Sequence, residues 1–217
     1  MNSFELKQQH SMKLLNDQIR EDMLERAKSK ESDYDKVASL CKDFLTSYEY
    51  DYSVLMPQDG SEKPRVQKEK SFSYNGETYY SGTVRMIDPD PKHHLALSPS
   101  IHALKMGTCA SFSRELEWFA KELKLKYKIV NTCAVCYDNF SSRTEKPILR
   151  DMLHRYIVLF LDGMKYKIDI AGALMAKDYK RKHPDSKISA GDFVLVDEDS
   201  KNPFDQLKQT NEEPNSN

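Results

Sequence analysis

Cys109, His154 and Asp169 are the residues of this chain whose types and order could carry out thiol chemistry. A histidine can take the proton from a thiol, and a carboxylate can fix the tautomer of that histidine and stabilise the imidazolium. Each residue alone also has an ordinary explanation: a small buried cysteine, an exposed strand histidine and a surface aspartate. Together they predict a nucleophile, a general base and acid, and an orienting group.

Cys109 lies in the first turn of a predicted helix. After Gly107 the apolar residues recur at steps of three and four, and Thr108 is a suitable N-cap residue. Unpaired backbone N–H groups and the helix dipole favour thiolate over thiol at such a position. The backbone N–H of Cys109 is also a candidate donor to an oxyanion.

Two strands are predicted later in the chain, His154–Leu161 and Met164–Ile170. The Asp162-Gly163 pair between them is a two-residue hairpin signal. In that register Leu161 pairs with Met164.

This register places His154 and Asp169 on one face of the hairpin. Asp169 lies opposite Tyr156, and His154 shares the face of Tyr156 because it is two positions away. Such diagonal neighbours are about 7–8 Å apart at the backbone, which their side chains can bridge. The other face is expected to be the core, and it carries Ile157, Leu159, Leu161, Met164, Tyr166, Ile168 and Ile170.

The remaining elements are less regular. Residues 1–30 have an apolar stripe at helical spacing and are interpreted as an N-terminal amphipathic helix, for which packing on the domain is favoured over a partner-binding arm. Residues 31–200 form the predicted domain. Within it, residues 51–106 are expected to be a surface insertion of loops and a hairpin, which Asn75-Gly76 indicates. Residues 201–217 are polar, lack periodicity and are expected to be disordered.

Charge and length restrict the function. The 217 residues suffice for one domain with a substantial core. The 33 basic and 34 acidic side chains nearly cancel, so the basic footprint of a nucleic-acid binder is missing and no such partner is expected.

The chain carries no recognisable secretory signal, and its longest apolar run, Tyr156–Leu161, is too short to span a membrane. Four cysteines without such a signal favour reduced thiols over a disulfide framework. We therefore expect a cytoplasmic protein without a membrane partner, and export by a route that leaves no N-terminal signal stays open.

Cys133 and Cys136 form a CxxC pair, which supplies half of a tetrahedral zinc site. Buried structural cysteines are favoured over a redox or metal pair, because the neighbouring residues favour a strand. His93, His94 and His102 have no carboxylate or cysteine at ligand spacing. We therefore predict no metal and no cofactor.

Several segments resemble the transglutaminase-like superfamily. Residues 107–113 (GTCASFS) resemble its G-x-C nucleophile segment, and His154-Arg155-Tyr156 resembles its H-x-aromatic segment. Residues 161–170 (LDGMKYKIDI) resemble the strand that carries the aspartate, and residues 32–51 look like the helix and tyrosine-rich turn that often precede this core. The resemblance covers residues 32–175.

The resemblance implies an α+β, papain-like fold in which a helix bearing the nucleophile packs on an antiparallel sheet. It implies that Cys109 is the nucleophile, His154 the general base and acid, and Asp169 the orienting group. The chain departs from the family pattern at Tyr156, where tryptophan is frequent, and at Ile170, where proline is common. No glutamine of the papain kind precedes the cysteine.

The expected function is cysteine-dependent acyl transfer on the amides of a peptide or protein, through a thioester. Hydrolysis or deamidation is favoured over cross-linking because no acceptor site is readable, and Thr108 and Tyr156 are candidate substrate-binding residues. A non-catalytic protein-interaction module on the same scaffold is the main alternative. A transferase using an acyl-CoA donor is disfavoured, since no Gly-rich phosphate loop is present.

Overall fold

The computed structural model describes residues 3–52, 65–66, 70–81, 84–85, 101–138 and 148–212. The helices are α1 (Ser3–Lys28), α2 (Asp33–Ser47), α3 (Ile101–Leu104), α4 (Cys109–Glu122), α5 (Ile170–Lys182) and α6 (Pro203–Glu212). The strands are β1 (Glu49–Tyr50), β2 (Arg65–Val66), β3 (Lys70–Tyr74), β4 (Glu77–Ser81), β5 (Val84–Arg85), β6 (Met106–Gly107), β7 (Lys126–Asp138), β8 (Ile148–Leu161), β9 (Met164–Ile168) and β10 (Val194–Asp197). This mixture of helices and antiparallel sheet agrees with the predicted α+β class.

The main sheet has the strand order β10-β9-β8-β7, and each neighbouring pair in it is antiparallel. Asp162 and Gly163 form the turn between β8 and β9. Their φ angles of 50° and 86° lie in the left-handed region, which glycine and aspartate tolerate better than most residues. Leu161 pairs with Met164, so the predicted register of this hairpin is confirmed.

The prediction that the second strand of this hairpin extends to Ile170 is wrong. β9 stops at Ile168, and Asp169 is the N-cap of α5, so Ile170 begins a helix. The reason is local: the Asp169 side chain accepts a hydrogen bond from the backbone N–H of Gly172, which is the contact that starts a helix.

The main core lies between the sheet and the helices that cover it. α4 packs on β8, and α5 contacts both α4 and β7. Of the residues predicted for the core face, Met164 is 55% exposed, because it lies beside the hairpin turn at the rim of the sheet. The other strand residues of that face include the fully buried Ile157, Leu159, Leu161 and Ile168.

α1 and α2 extend this core on its other side. The side chain of Ser32 caps α2 by accepting a hydrogen bond from the backbone N–H of Asp35. α1 packs against α2 and α3. The two helices bury apolar residues of one stripe each, namely Met23, Leu24, Ala27, Val37, Leu40, Cys41 and Phe44.

The predicted insertion at residues 51–106 is correct in one part and wrong in another. β3 and β4 form a hairpin whose turn is Asn75-Gly76, as predicted. Residues 101–106 are not a surface loop, since Ile101 and His102 are buried in α3 and β6 pairs with β1. Residues 53–64, 67–69, 82–83 and 86–100 lie outside the described residues, and His93 and His94 are among them.

The prediction of disorder for residues 201–217 is wrong for residues 203–212, which form α6. Phe204 anchors this helix: it is 1% exposed, and its ring lies 5.9 Å from that of Tyr179 and 5.3 Å from that of Phe193. Leu207, one helical turn further on, is partly buried against the same core. Two apolar residues leave little periodicity to read, which explains the error. Residues 213–217 lie outside the described residues.

Candidate functional site

Asp169 lies at the junction between the main sheet and α5. Its Oδ1 accepts a hydrogen bond from the backbone N–H of Gly172 at 2.8 Å. Its own backbone N–H donates to the carbonyl oxygen of Phe193 at 2.9 Å. The residue is buried, and its carboxylate is fixed at the N-terminus of α5, where the helix dipole favours negative charge.

His154, from β8, faces this carboxylate. Its Nε2 lies 2.6 Å from Oδ2 of Asp169, and both side chains are buried. Burial by itself lowers the pKa of His154. The charge of Asp169 and the hydrogen bonds of the ring outweigh burial, and they hold that pKa well above its ordinary value of 6.5. The protonated imidazolium is therefore the form that this environment favours.

Cys109 is the first residue of α4 and is half-buried. The interaction of its thiol with the His154 ring helps to raise the pKa of that histidine. Ser113, one turn further along α4, has its Oγ 2.8 Å from the carbonyl oxygen of Cys109 and 3.1 Å from that of Arg155. This hydroxyl ties the first turn of α4 to the strand that carries His154.

The structure thus brings the three predicted residues together. The hairpin register correctly places His154 near Asp169, although the carboxylate approaches from the cap of α5 and not from a strand. The carboxylate hydrogen-bonds to the imidazole, and the thiol of Cys109 interacts with the same ring, so a proton can pass between sulfur and nitrogen while the carboxylate stabilises the charged ring.

Cys136 is a member of this cluster that the sequence interpretation missed. It is buried on β7, and its Sγ lies 3.8 Å from Nδ1 of His154. Cys133 is exposed, so the prediction of two buried cysteines is wrong for that residue. Residues three apart on a continuous strand point to opposite faces, and this alternation was the available signal that the two cysteines are not a pair.

Tyr50 is close enough to Cys109 and Cys136 to interact with them electrostatically. It is buried in β1, opposite Gly107 of β6. Burial raises the pKa of Tyr50 well above its ordinary value of 10.0, and negative charge on Cys109 or Cys136 raises it further. The phenol therefore stays neutral beside the sulfurs.

The two candidate substrate-binding residues, Thr108 and Tyr156, differ in burial and in contacts. Thr108 is buried, and its hydroxyl oxygen accepts from the backbone N–H of Ser111 and contacts that residue's hydroxyl at 3.0 Å. It is a helix cap, and nothing in its surroundings supports contact with a substrate. Tyr156 is half-buried, and the Nζ of Lys167 lies 4.9 Å from its ring centroid. Its role in substrate binding stays a prediction.

Other kinds of site are not seen in the part of the chain that the structure describes. There, His, Cys, Asp and Glu side chains nowhere gather in groups of three or more that could hold a metal ion. His102 is buried, and its two ring nitrogens contact Tyr48 and Glu115. None of the described helices combines the length and the apolar character that crossing a membrane requires.

Comparisons with known proteins add little. No family model and no curated protein matches this chain. Among solved structures, the chain is similar to one described as "Crystal structure of a TGase", with 18% sequence identity and a TM-score of 0.39. The match covers 81% of this chain but 37% of that chain. A likeness this distant carries no argument about family or activity, so the interpretation rests on the geometry.

Proposed function

We propose that this protein is a cysteine-dependent acyl-transfer enzyme that acts on peptide or protein amides and releases its product by hydrolysis or deamidation. One observation carries the proposal: the imidazole of His154, with Nε2 2.6 Å from Oδ2 of Asp169, also interacts with the half-buried thiol of Cys109. The resemblance of the surrounding segments to transglutaminase-like proteins supports the same chemistry.

In the proposed reaction, the thiolate of Cys109 attacks the amide carbonyl carbon and forms a tetrahedral intermediate. The imidazolium of His154 then gives its proton to the departing amine, and the C–N bond breaks to leave a thioester on the sulfur. Asp169 holds the ring in place and stabilises its positive charge in the resting state. In the second step the neutral imidazole takes a proton from water as the water attacks the thioester carbon. The C–S bond then breaks, which releases the carboxylic acid and returns the thiolate of Cys109 and the imidazolium of His154.

The first turn of α4 supplies the proposed oxyanion site. The backbone N–H of Cys109 belongs to the first helical positions, which have no partner within the helix. The N-cap contact from Thr108 satisfies the N–H of Ser111 and not that of Cys109. A developing negative charge on the substrate oxygen would be stabilised there.

The proposal is tested by trapping the thioester. The full chain is incubated with a mixture of peptides containing glutamine and asparagine, with and without hydroxylamine. Mass spectrometry then separates cleaved peptides, deamidated peptides and peptide hydroxamates, which form when hydroxylamine intercepts the acyl group. We expect hydroxamate to accumulate at the expense of the hydrolysed product.

Single variants show which sulfur reacts. Cys109→Ala and His154→Ala should form neither product, whereas Cys133→Ala, which changes an exposed cysteine on the same sheet, should behave as wild type. Full turnover by Cys109→Ala would contradict the proposal. Binding of peptides by the wild type without any turnover would favour the non-catalytic interaction module.

A further inference from the structure

Cys136 places a second thiol at the imidazole of His154. The Nε2 of the ring hydrogen-bonds to Asp169, and the Sγ of Cys136 lies 3.8 Å from Nδ1. The Ser113 hydroxyl contacts the carbonyl oxygens of both Cys109 and Arg155, which places the first turn of α4 against the strand beside His154, and the thiol of Cys109 interacts with the same ring. Acyl transfer requires one thiol at this imidazole, so the second thiol has no part in the proposed reaction.

The two sulfurs differ in access. Cys109 is half-buried, and a small solute can reach it, whereas Cys136 is 3% exposed and faces the cluster from β7. An outer, reactive thiol with an inner thiol beside it is the arrangement in which the first sulfur is oxidised and the second resolves it.

The remaining cysteines do not fit this role. Cys41 is buried in α2, and burial raises the pKa of its thiol to about 12, so it stays protonated and unreactive. Cys133 is exposed and, three positions from Cys136 on one continuous strand, points to the other face of the sheet.

We propose that Cys109 and Cys136 form a reversible disulfide when the protein meets hydrogen peroxide, and that this bond switches the site off. The cluster of two thiols around one imidazole carries the inference. The disulfide depends on that geometry and not on turnover, so it can fail or hold independently of the proposed acyl transfer.

The chemistry balances in two steps. The thiolate of Cys109 attacks one peroxide oxygen, the O–O bond breaks, and the products are a sulfenic acid on Cys109 and hydroxide, which takes up a proton to become water. Cys136 then attacks the sulfur of Cys109 and displaces hydroxide, while His154 passes the proton of Cys136 to it. Two thiols and one hydrogen peroxide give one disulfide and two waters, and two electrons pass from sulfur to the peroxide.

The disulfide removes the nucleophile. An S–S bond of about 2.05 Å engages both sulfurs and leaves His154 with no thiol to activate. A dithiol such as dithiothreitol restores the site by thiol–disulfide exchange, in which the dithiol is oxidised. Without Cys136, the sulfenic acid on Cys109 has no resolving partner in the cluster and proceeds to sulfinic acid, which dithiols do not reduce.

The test uses the reduced full chain, treated with hydrogen peroxide, blocked with N-ethylmaleimide and digested without reduction. Cys133 and Cys136 share the tryptic peptide of residues 129–143, so Cys133→Ser is mapped in parallel to identify the linked sulfur. We expect the Cys109–Cys136 linkage in both proteins. We also expect labelling of Cys109 by iodoacetamide to be lost and then to return after dithiothreitol.

The Cys136→Ser variant, which lacks the proposed resolving thiol, is the contrast to the wild type. Its peroxide-treated form should carry sulfinic acid on Cys109, and dithiothreitol should not restore labelling. Sulfinic acid on wild-type Cys109 without a linked peptide, linkage to Cys133, or full recovery in Cys136→Ser would each overturn the proposal. The mapping of wild type and Cys133→Ser decides the question even if Cys136→Ser does not fold. Peptide turnover without a disulfide would refute this proposal alone, and a disulfide without turnover would refute only the enzyme.

Discussion

Gly172 packs so closely against the carboxylate of Asp169 that position 172 has no room for a side chain. The backbone N–H of Gly172 donates to Oδ1 of Asp169 at 2.8 Å, and a Cβ on residue 172 would lie 2.7 Å from Oδ2 of the same carboxylate. That second oxygen is the one that binds His154. The absence of a side chain at position 172 therefore leaves room for the carboxylate to face the imidazole.

Gly172→Ala should disturb the site through Asp169. The new methyl group would also lie 2.4 Å from the ring of Phe193, so both neighbours must move. We expect a loss of about 1–3 kcal/mol in the free energy of unfolding, as for other overpacked positions. The rate of Cys109 alkylation at neutral pH should also fall by roughly tenfold, because His154 loses its fixed partner. Chemical denaturation and timed iodoacetamide labelling measure the two effects.

Gly191→Ala is the matched control, since an added Cβ there meets nothing closer than the Ser189 hydroxyl at 3.6 Å. It should change neither stability nor alkylation by a comparable amount. Equal effects of the two substitutions on the free energy of unfolding and on the alkylation rate would contradict the importance of the close contact between residue 172 and the Asp169 carboxylate.

Ser113→Ala should weaken the alignment of Cys109 with His154 while leaving the fold in place. The substitution removes the hydroxyl that contacts the carbonyl oxygens of Cys109 and Arg155, at a cost of about 1 kcal/mol in stability. In the hydroxamate assay we expect kcat to fall by roughly tenfold with little change in KM, since the positions of reacting groups change and binding contacts do not.

Ser29→Ala is the control for Ser113→Ala, because the exposed Ser29 hydroxyl also donates to a backbone carbonyl of its own helix region, that of Arg26. Its kcat should match the wild type. A normal kcat in Ser113→Ala would indicate that the helix and strand are held in register by other contacts.

Arg20 and Glu115 join α1 to α4 through a largely buried ion pair. The guanidinium is bidentate, with Nε 2.8 Å from Oε2 and Nη2 2.6 Å from Oε1, and it lies 4.8 Å from the ring centroid of Trp118. Removing one partner of such a pair leaves the other charge buried. Arg20→Met should therefore destabilise the protein by about 2–4 kcal/mol.

Arg20→Lys should lose less stability, because the charge remains although the bidentate contact does not. The exposed pair of Lys13 and Asp17 gives the control: Lys13→Met should cost less than about 0.5 kcal/mol. Trp118 is the single tryptophan of the chain, so its fluorescence reports unfolding directly. Similar stability of Arg20→Met and Lys13→Met would contradict a stabilising role for the buried pair.

His102 should make the fold sensitive to acid. Burial lowers the pKa of His102 below 6.5, although Glu115 opposes this shift. The neutral ring fits its contacts, with Nε2 donating to Glu115 at 3.0 Å and Nδ1 accepting from the hydroxyl of Tyr48. A depressed folded-state pKa means that stability is complete above the unfolded pKa and is lost as the pH falls toward the folded one.

His102→Gln lacks this ionisation, so its stability should depend less on pH. The difference in unfolding free energy between wild type and His102→Gln should shrink as the pH falls from about 7 to about 5. Urea denaturation at several pH values measures it. A difference that grows on acidification would show that the buried ring accepts a proton readily.

The sequence predicted the parts of the site that depend on local pattern. The helix that carries Cys109 follows from periodicity, and the hairpin register, which brings His154 near Asp169, follows from the turn residues. The cap role of Asp169 was missed because a residue that follows a strand is easily taken as its continuation, although aspartate is also among the best N-cap residues.

Cys136 could not be placed from the sequence. Its contact with His154 depends on how β7 lies against β8 and α4, and the segment between the two strands contains no turn signal that fixes this register. The CxxC spacing groups Cys136 with Cys133 and gives no indication of His154. The burial of Phe204 was missed for a similar reason, since an apolar residue in a largely polar segment becomes part of a core only through distant contacts.

The most direct test of the account is the pH dependence of Cys109 alkylation by iodoacetamide, measured in the wild type and in His154→Gln. We expect the wild-type rate to reach half its maximum well below about pH 8.5, the value typical of a free thiol, and the midpoint to move up toward that value in the variant. Superimposable profiles with midpoints near pH 8.5 would contradict the claim that the imidazole activates this sulfur.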